Sequence, residues 1–236
     1  PPTPATTPPR RRAWLSRRRL LLGTGVVGAA GAVAAAHTRF VEPGWLEVSH
    51  RAVLFGQTSS TPIRILHLSD LHASGYVPLE FLAQAIQLGL AEKPDLICLT
   101  GDFITKHFTR FADYAEVLKP LAAAAPVFAC LGNHDGGRWA ARPSYGGHTD
   151  HAEVRRCLAA SGAKVLLNQS QELTLRGRSL RLVGVGDLWA DELRAAEAFG
   201  TVPTDTGTVL LMHNPDGKDA VADFSWQLAL CGHTHG

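Results

Sequence analysis

Five apolar runs in this chain break off abruptly onto residues that bind metals or carry protons, and no other feature constrains the fold as tightly. Residues 62–69 deliver Asp70-Leu71-His72, and residues 95–100 deliver Gly101-Asp102. Residues 126–130 deliver Leu131-Gly132-Asn133-His134-Asp135. Further on, 208–212 lead to His213-Asn214-Pro215-Asp216, and 226–231 lead to Gly232-His233-Thr234-His235-Gly236. Short, nearly unbroken apolar runs bounded by Gly, Pro and polar residues read as strands covered on both faces. In a layered α/β fold, ligands bind outside the carboxyl ends of such strands.

The segments between the runs set the connectivity. Leu79, Leu82, Ala83, Ile86 and Leu90 recur at helical spacing, as do Phe111, Tyr114, Ala115 and Leu118, so a helix is expected in each interval. Strand, helix, strand, helix, strand predicts right-handed crossovers and parallel pairing. A helix over 152–160 should stop at Gly162. From Lys164 the pattern changes to the shorter runs 165–167, 172–175 and 179–183, with Gly177 in a tight turn between the last two. These alternating runs predict an antiparallel stretch of a second sheet. Residues 37–60 read as a connector with one strand around 46–54. The Gly-rich loop 136–150 holds Arg138, Trp139, Arg142, Tyr145 and His148, and a long loop beside a site can shape substrate choice. Asp187 lies at another strand end, without firm chemistry in its motif.

Each motif is weak evidence when taken singly. Asn-His-Asp after glycine also suits a helix N-cap. Asp-x-His is common by chance, although its spacing puts both side chains on one side of an extended segment. Together the strand ends offer Asp70, His72, Asp102, Asn133, His213, His233 and His235, seven oxygen and nitrogen donors with no sulfur. Mixed imidazole and carboxylate donors suit Mn, Fe, Zn or Co, but not a cysteine-based structural zinc. Seven donors exceed what one ion needs where substrate must also bind, and two ions sharing a carboxylate use them economically. Such pairs sit ~3.5–4 Å apart and serve in-line displacement at phosphorus. The glycines around His233 and His235 read as keeping that loop open for two imidazoles. Cys98, Cys130 and Cys231 fall in apolar runs, and no Cys-x-x-Cys spacing occurs, so the four cysteines read as core.

The first 36 residues are of a different kind. They carry six arginines and no acid, then Leu20-Leu21-Leu22 and a weakly apolar Gly/Ala run ending near Ala36. A basic start, a mild apolar middle and an Ala-x-Ala-like exit form an export signal, and Arg17-Arg18 with Leu20-Leu21 resembles the twin-arginine type. The run 20–36 is 17 residues long with four glycines, short of the ~20 that span a bilayer. The expected partner is the twin-arginine export machinery, and the expected location is the periplasm or the outer face of the cytoplasmic membrane. Membrane association through an uncleaved leader is the alternative. Without the leader, 17 Lys+Arg face 21 Asp+Glu, a net of −4 in place of +2. A mildly acidic domain lacks the basic footprint of a nucleic-acid binder. Its 200 residues can bury one substantial core.

Taken in series, Asp70-Leu71-His72, Gly101-Asp102-Phe103, Gly132-Asn133-His134-Asp135, His213-Asn214-Pro215-Asp216 and Gly232-His233-Thr234-His235-Gly236 resemble the motifs of the calcineurin-like metallophosphoesterases, over nearly all of 63–236. Glu42-Pro43-Gly44-Trp45, Gly186-Asp187-Leu188-Trp189-Ala190 and the twin-arginine start are similar to the exported bacterial YaeI-type phosphodiesterases of that family. The resemblance implies an α/β fold, a four-layer α/β/β/α sandwich over 61–236, with 1–36 as signal segment and 37–60 as connector. It implies that Asp70, His72 and His235 hold one divalent metal ion, that Asn133, His213 and His233 hold a second, and that Asp102 bridges both. His134 then stands near the leaving group, with Asp135 holding its other nitrogen. The family's sequence continues past its last motif into further strands of the second sheet, so the chain is expected to be truncated there. The implied activity is a two-metal phosphoesterase, first of all a phosphodiesterase, in which a metal-bridging hydroxide attacks phosphorus in line. Its substrate would be a phosphodiester or pyrophosphate, either a small molecule or a lipid. Pyrophosphate cleavage of a UDP-linked lipid sugar at the membrane is the alternative. A non-catalytic scaffold of the same fold is weaker, because all seven ligand positions are filled.

Overall fold

Each of the five apolar runs forms a strand, and the strands divide between two sheets. The structure, a computed structural model, describes residues 17–40, 44–54, 62–200 and 207–235. Two units are distinguished, Pro1–Glu47 and Val48–Gly236. The first contains helix α1 (Arg17–Phe40), which covers the twin-arginine pair and the Gly/Ala run. No helix among the described residues is long and apolar enough to cross a membrane.

In the second unit, β1 (Ile65–Leu68), β2 (Leu96–Thr100), β3 (Val127–Cys130) and β4 (Lys164–Val165) form a wholly parallel sheet in that order. Helices α2 (Leu79–Leu90), α3 (Phe111–Ala124) and α5 (Ala152–Ala160) make the crossovers, and α4 (Gly137–Ala140) is one turn within the loop after β3. The helical stripes do what their spacing predicts: Leu79, Leu82, Ile86, Tyr114, Ala115 and Leu118 are buried. They pack with Ile97, Leu99, Val127 and Ala129 on one face of the sheet. All five residues of β2 are buried, as a strand with layers on both sides requires.

The second sheet has the order β5 (Gln169–Leu175), β6 (Arg178–Gly184), β7 (Gly207–Leu211), β8 (Leu228–Leu230). β5 and β6 form the expected antiparallel hairpin, while β7 and β8 run parallel to β6. Leu96, Cys98, Phe128 and Cys130 of the first sheet meet Leu180, Leu182, Val209 and Leu211 of the second in a shared core. The outer face of the second sheet is covered by α6 (Ala195–Phe199) and a 3-10 segment at Pro215–Val221. Helices, sheet, sheet and a thinner helical cover give the four α/β/β/α layers. All four cysteines are free, and three of them are buried.

Two sequence expectations fail. Lys164 and Val165 do not open the second sheet; they pair with Phe128 and Ala129 and close the first. Helix α5 returns the chain to the start of the sheet, so the next strand emerges parallel to β3, and the second sheet begins only after Asn168 turns at φ 53°. Nor is there a strand over 46–54. Val53 and Leu54 are 54% and 94% exposed, and an unpaired apolar segment gains nothing from extending.

Candidate metal centre

The donors are carried on loops that leave the sheets in strained backbone conformations. Among the described residues, ten non-glycine residues have positive φ, and five of them are Asp70 (53°), His72 (47°), Asp102 (54°), His233 (72°) and His235 (59°). A left-handed residue costs of order 1–3 kcal/mol and persists only where its surroundings over-determine it. Such clustering on one set of side chains points to function. Packing of the loops supplies the constraint. A Cβ on Gly132 would lie 2.2 Å from Asp102 Oδ1, and one on Gly232 would lie 1.9 Å from Ser69 Oγ and 2.5 Å from Asp70 Oδ2. Gly232 therefore serves close approach, not the open loop expected from the sequence. Gly236 lies outside the described residues.

Among the described residues, three side-chain groupings bring metal-binding atoms within 4.8 Å of one another: Asp70 with His72 and His235, Asp102 with His213 and His233, and His72 with Asp102 and His134. Asp102 Oδ2 stands between the first two, 3.6 Å from His72 Nε2 and 3.2 Å from His213 Nε2. Asp70 Oδ1 is 3.5 Å from His235 Nε2, and both Asp70 oxygens accept from the His233 amide, at 2.9 and 3.0 Å. The rings are held from behind. His213 Nδ1 donates to the Thr100 carbonyl at 2.8 Å, which leaves Nε2 facing Asp102, and His72 Nδ1 lies 2.9 Å from Thr105 Oγ1. Hydrogen bonds at the far nitrogen are how metal-binding histidines are oriented.

Asn133 lies in the loop beside Asp102. It is fully buried, and neither its Oδ1 nor its Nδ2 has a hydrogen-bond partner. A buried amide without partners is costly, and a cation at Oδ1 would remove part of that cost. The neighbours of Asn133 on both sides touch Asp102: Gly132 packs on its side chain, and the His134 amide donates to its Oδ1 at 2.9 Å. Converging oxygen and imidazole donors, an orphaned amide oxygen and strained loops fit divalent cations.

Electrostatics follow the same geometry. Burial pushes the Asp102 carboxyl up, but the His213 hydrogen bond and charge outweigh it and hold Asp102 below the usual carboxylate range. His213, pushed down by burial, is raised to about 9 by Asp102. His134 is lowered to about 4, first by burial, against the pull of Asp102.

The residues around His134 depart from expectation. Asp135 is not the group on its second nitrogen. Both carboxylate oxygens of Asp135 are taken by backbone, accepting from the amides of Gly132 at 2.8 Å, Asp102 at 2.9 Å and Phe103 at 2.6 Å. Burial and the Asp102 charge push Asp135 up, against these three amides, which favour the carboxylate. The group on His134 Nδ1 is Tyr145 Oη. Trp139 stacks on the His134 ring at 4.7 Å, and Arg142 lies 4.2 Å over Trp139. Across the site, Trp189 meets His233 edge-on at 4.3 Å and stacks on Trp139 at 6.1 Å. Trp189 and the buried Asp187, whose Oδ2 has no hydrogen-bond partner, lie in a motif without firm chemistry when read from sequence. The signal was the position of that motif after one more apolar strand.

A two-sheet α/β sandwich with this donor set at its strand ends is the architecture of a metal-dependent hydrolase. The chain belongs to the calcineurin-like phosphoesterase family, whose profile matches residues 63–236. It is 39% identical over 223 residues to phosphodiesterase YaeI of Escherichia coli K12, covering 94% of this chain and 78% of that protein. It is 30% identical to the metallophosphoesterase YkuE of Bacillus subtilis, covering 94% and 77%. It is also 26% identical to the UDP-2,3-diacylglucosamine pyrophosphatase LpxG of Chlamydia trachomatis, covering 74% and 64%. The protein is a hydrolase acting on phosphoester bonds, of a family that uses divalent metal ions.

Proposed function

We propose that the chain is a phosphodiesterase that works with two divalent ions, one at Asp70, His72 and His235 and one at Asn133, His213 and His233, with Asp102 between them. The observation that carries this reading is the position of Asp102 Oδ2, within 3.6 Å of His72 Nε2 and 3.2 Å of His213 Nε2. Mn, Fe, Zn or Co would suit the donors. Bound there, divalent ions activate water near neutral pH and neutralise phosphate oxygens. The chain's own part is to place groups. His134 lies beside Asp102, with Nε2 3.8 Å from Oδ2, where it can donate a hydrogen bond to the oxygen that leaves phosphorus. Asp135 fixes the loops that carry Asp102 and His134. As the diester is cleaved, the bond from phosphorus to the leaving oxygen breaks, water supplies the new oxygen, and the leaving oxygen gains a proton.

The likeness to YaeI favours a diester over a monoester. The likeness to LpxG supports a second reading, a pyrophosphate-linked nucleotide lipid. Arg17-Arg18 and the Gly/Ala run of the leader support export by the twin-arginine route, to the periplasm or the outer face of the cytoplasmic membrane. The mature charge argues against a nucleic-acid substrate. The test is hydrolysis of a chromogenic diester and its monoester by the full chain, with Mn²⁺ and with chelator. Diester turnover abolished by chelator is expected. Turnover of a UDP-linked lipid with none of the diester would select the second reading, and monoester preference would overturn the first.

A further inference from the structure

Tyr145 has no place in the family motifs, yet it touches the one histidine of the site that stands apart from the two principal donor groups. We propose that the Tyr145 phenol is the positioning partner of His134, holding the imidazole with its proton on Nε2 and directed at the leaving oxygen; this rests on the phosphoester reading of the site. The hydrogen-bond order supports it. The Lys106 amide donates to Tyr145 Oη at 2.9 Å, so the phenol already accepts from the backbone, and its own proton is available for His134 Nδ1. A neutral imidazole that accepts at Nδ1 carries its proton on Nε2, and Nε2 faces Asp102 Oδ2 at 3.8 Å.

Rotation of the ring is blocked on several sides. Trp139 stacks on it at 4.7 Å, Tyr145 packs edge-on at 4.8 Å, and His72 lies edge-on at 4.8 Å. Tyr145 and Trp139 also pack on each other at 4.7 Å. The loop is shaped to hold the phenol: Gly147 donates its amide to the Ala140 carbonyl at 2.9 Å, and a Cβ there would lie 2.9 Å from Tyr145 Cε1. The neighbouring carboxylate of Asp135 is committed to three amides, so the orienting role falls to Tyr145. A phenol has one further property: it orients the ring without adding negative charge beside a phosphate.

The test is Tyr145→Phe, which removes Oη and keeps the ring packing. Nitrogen-15 NMR of the full chain, stripped by chelator and again loaded with diamagnetic zinc, reads the His134 tautomer, with His134→Asn used for assignment. The wild type should carry the proton on Nε2, and the variant should show a mixture or the other tautomer. In steady-state assays, kcat should fall about tenfold or more for a diester with an alkyl leaving group, within the range set by leaving-group assistance. The fall should be much smaller for a p-nitrophenyl leaving group, with KM unchanged, and Tyr145→Phe should add little in a His134→Asn background. An unchanged tautomer, or equal losses with both leaving groups, overturns the proposal. If the wild type cleaves no diester but the tautomer still changes in the variant, the diester reading fails and the positioning role stands.

Discussion

Replacing Asp135 by Asn separates a structural role from a catalytic one. In the wild type, Oδ2 accepts from the Gly132 and Asp102 amides and Oδ1 from the Phe103 amide, inside a fully buried environment. An Asn side chain can offer its one oxygen to the first pair, which leaves its NH₂ facing the Phe103 N–H. One orphaned buried amide costs about 1–3 kcal/mol, and two bonds to a charged acceptor become bonds to a neutral one at about 1 kcal/mol each. Relief from burying a carboxylate, which burial already pushes up, returns part of this. The net loss should be about 3 kcal/mol, or about 6–12 °C in Tm for a unit of this size. Urea and thermal unfolding of the full chain measure it, and amide hydrogen exchange at Gly132, Asp102 and Phe103 locates it. If Asp135→Asn kept wild-type stability and protection while losing its leaving-group dependence, Asp135 would act on His134 and the structural assignment would be wrong.

Other outcomes follow from single contacts. Gly232→Ala forces a Cβ against Ser69 Oγ and Asp70 Oδ2; it should cost about 2 kcal/mol or more and weaken metal binding, as a metal titration would show. Chelation should lower the Tm of the full chain by about 5–10 °C, because ions that bind only the folded state stabilise it by mass action; an unchanged Tm would count against a metal centre. Asp95 joins the start of β2 to the β5–β6 turn, accepting from the Arg64 amide at 2.8 Å and Arg176 Nε at 2.7 Å. Burial pushes its carboxyl up, but these partners outweigh that and hold it low. A depressed carboxylate stabilises above its unfolded pKa of about 3.9 and loses that contribution as pH falls through the lower folded value. Asp95→Asn should therefore be less stable than wild type at pH 7, by about 1 kcal/mol or less for a pair this exposed, and the gap should close as the wild-type carboxylate is protonated in acid.

The parts of the fold that could be read from sequence are those where one local pattern decides the structure. β2 is an unbroken apolar run, so it had to be buried on both faces, and the α2 and α3 stripes had one face to cover it. Donors directly after such strands could only gather beyond the carboxyl ends of the strands. What could not be read depends on direction or on distant contact. Lys164 and Val165 are too short a strand to reveal which sheet they join. Asp135 follows His134 in sequence, but its side chain turns inward to the Gly132, Asp102 and Phe103 amides. Tyr145 reaches the same imidazole across a glycine-rich loop, with no periodicity to mark it. The demand for glycine at 232 comes from Ser69 and Asp70, far away in sequence.

Sharing of Asp102 by two divalent ions is the central proposal for this site. Metal content and binding isotherms, measured on the full chain as wild type and as Asp102→Ala, test it in one comparison. Two divalent ions per wild-type chain, with affinity lost at both sites in the variant, are expected. A single ion in the wild type, or two ions bound by Asp102→Ala at wild-type affinity, would contradict it.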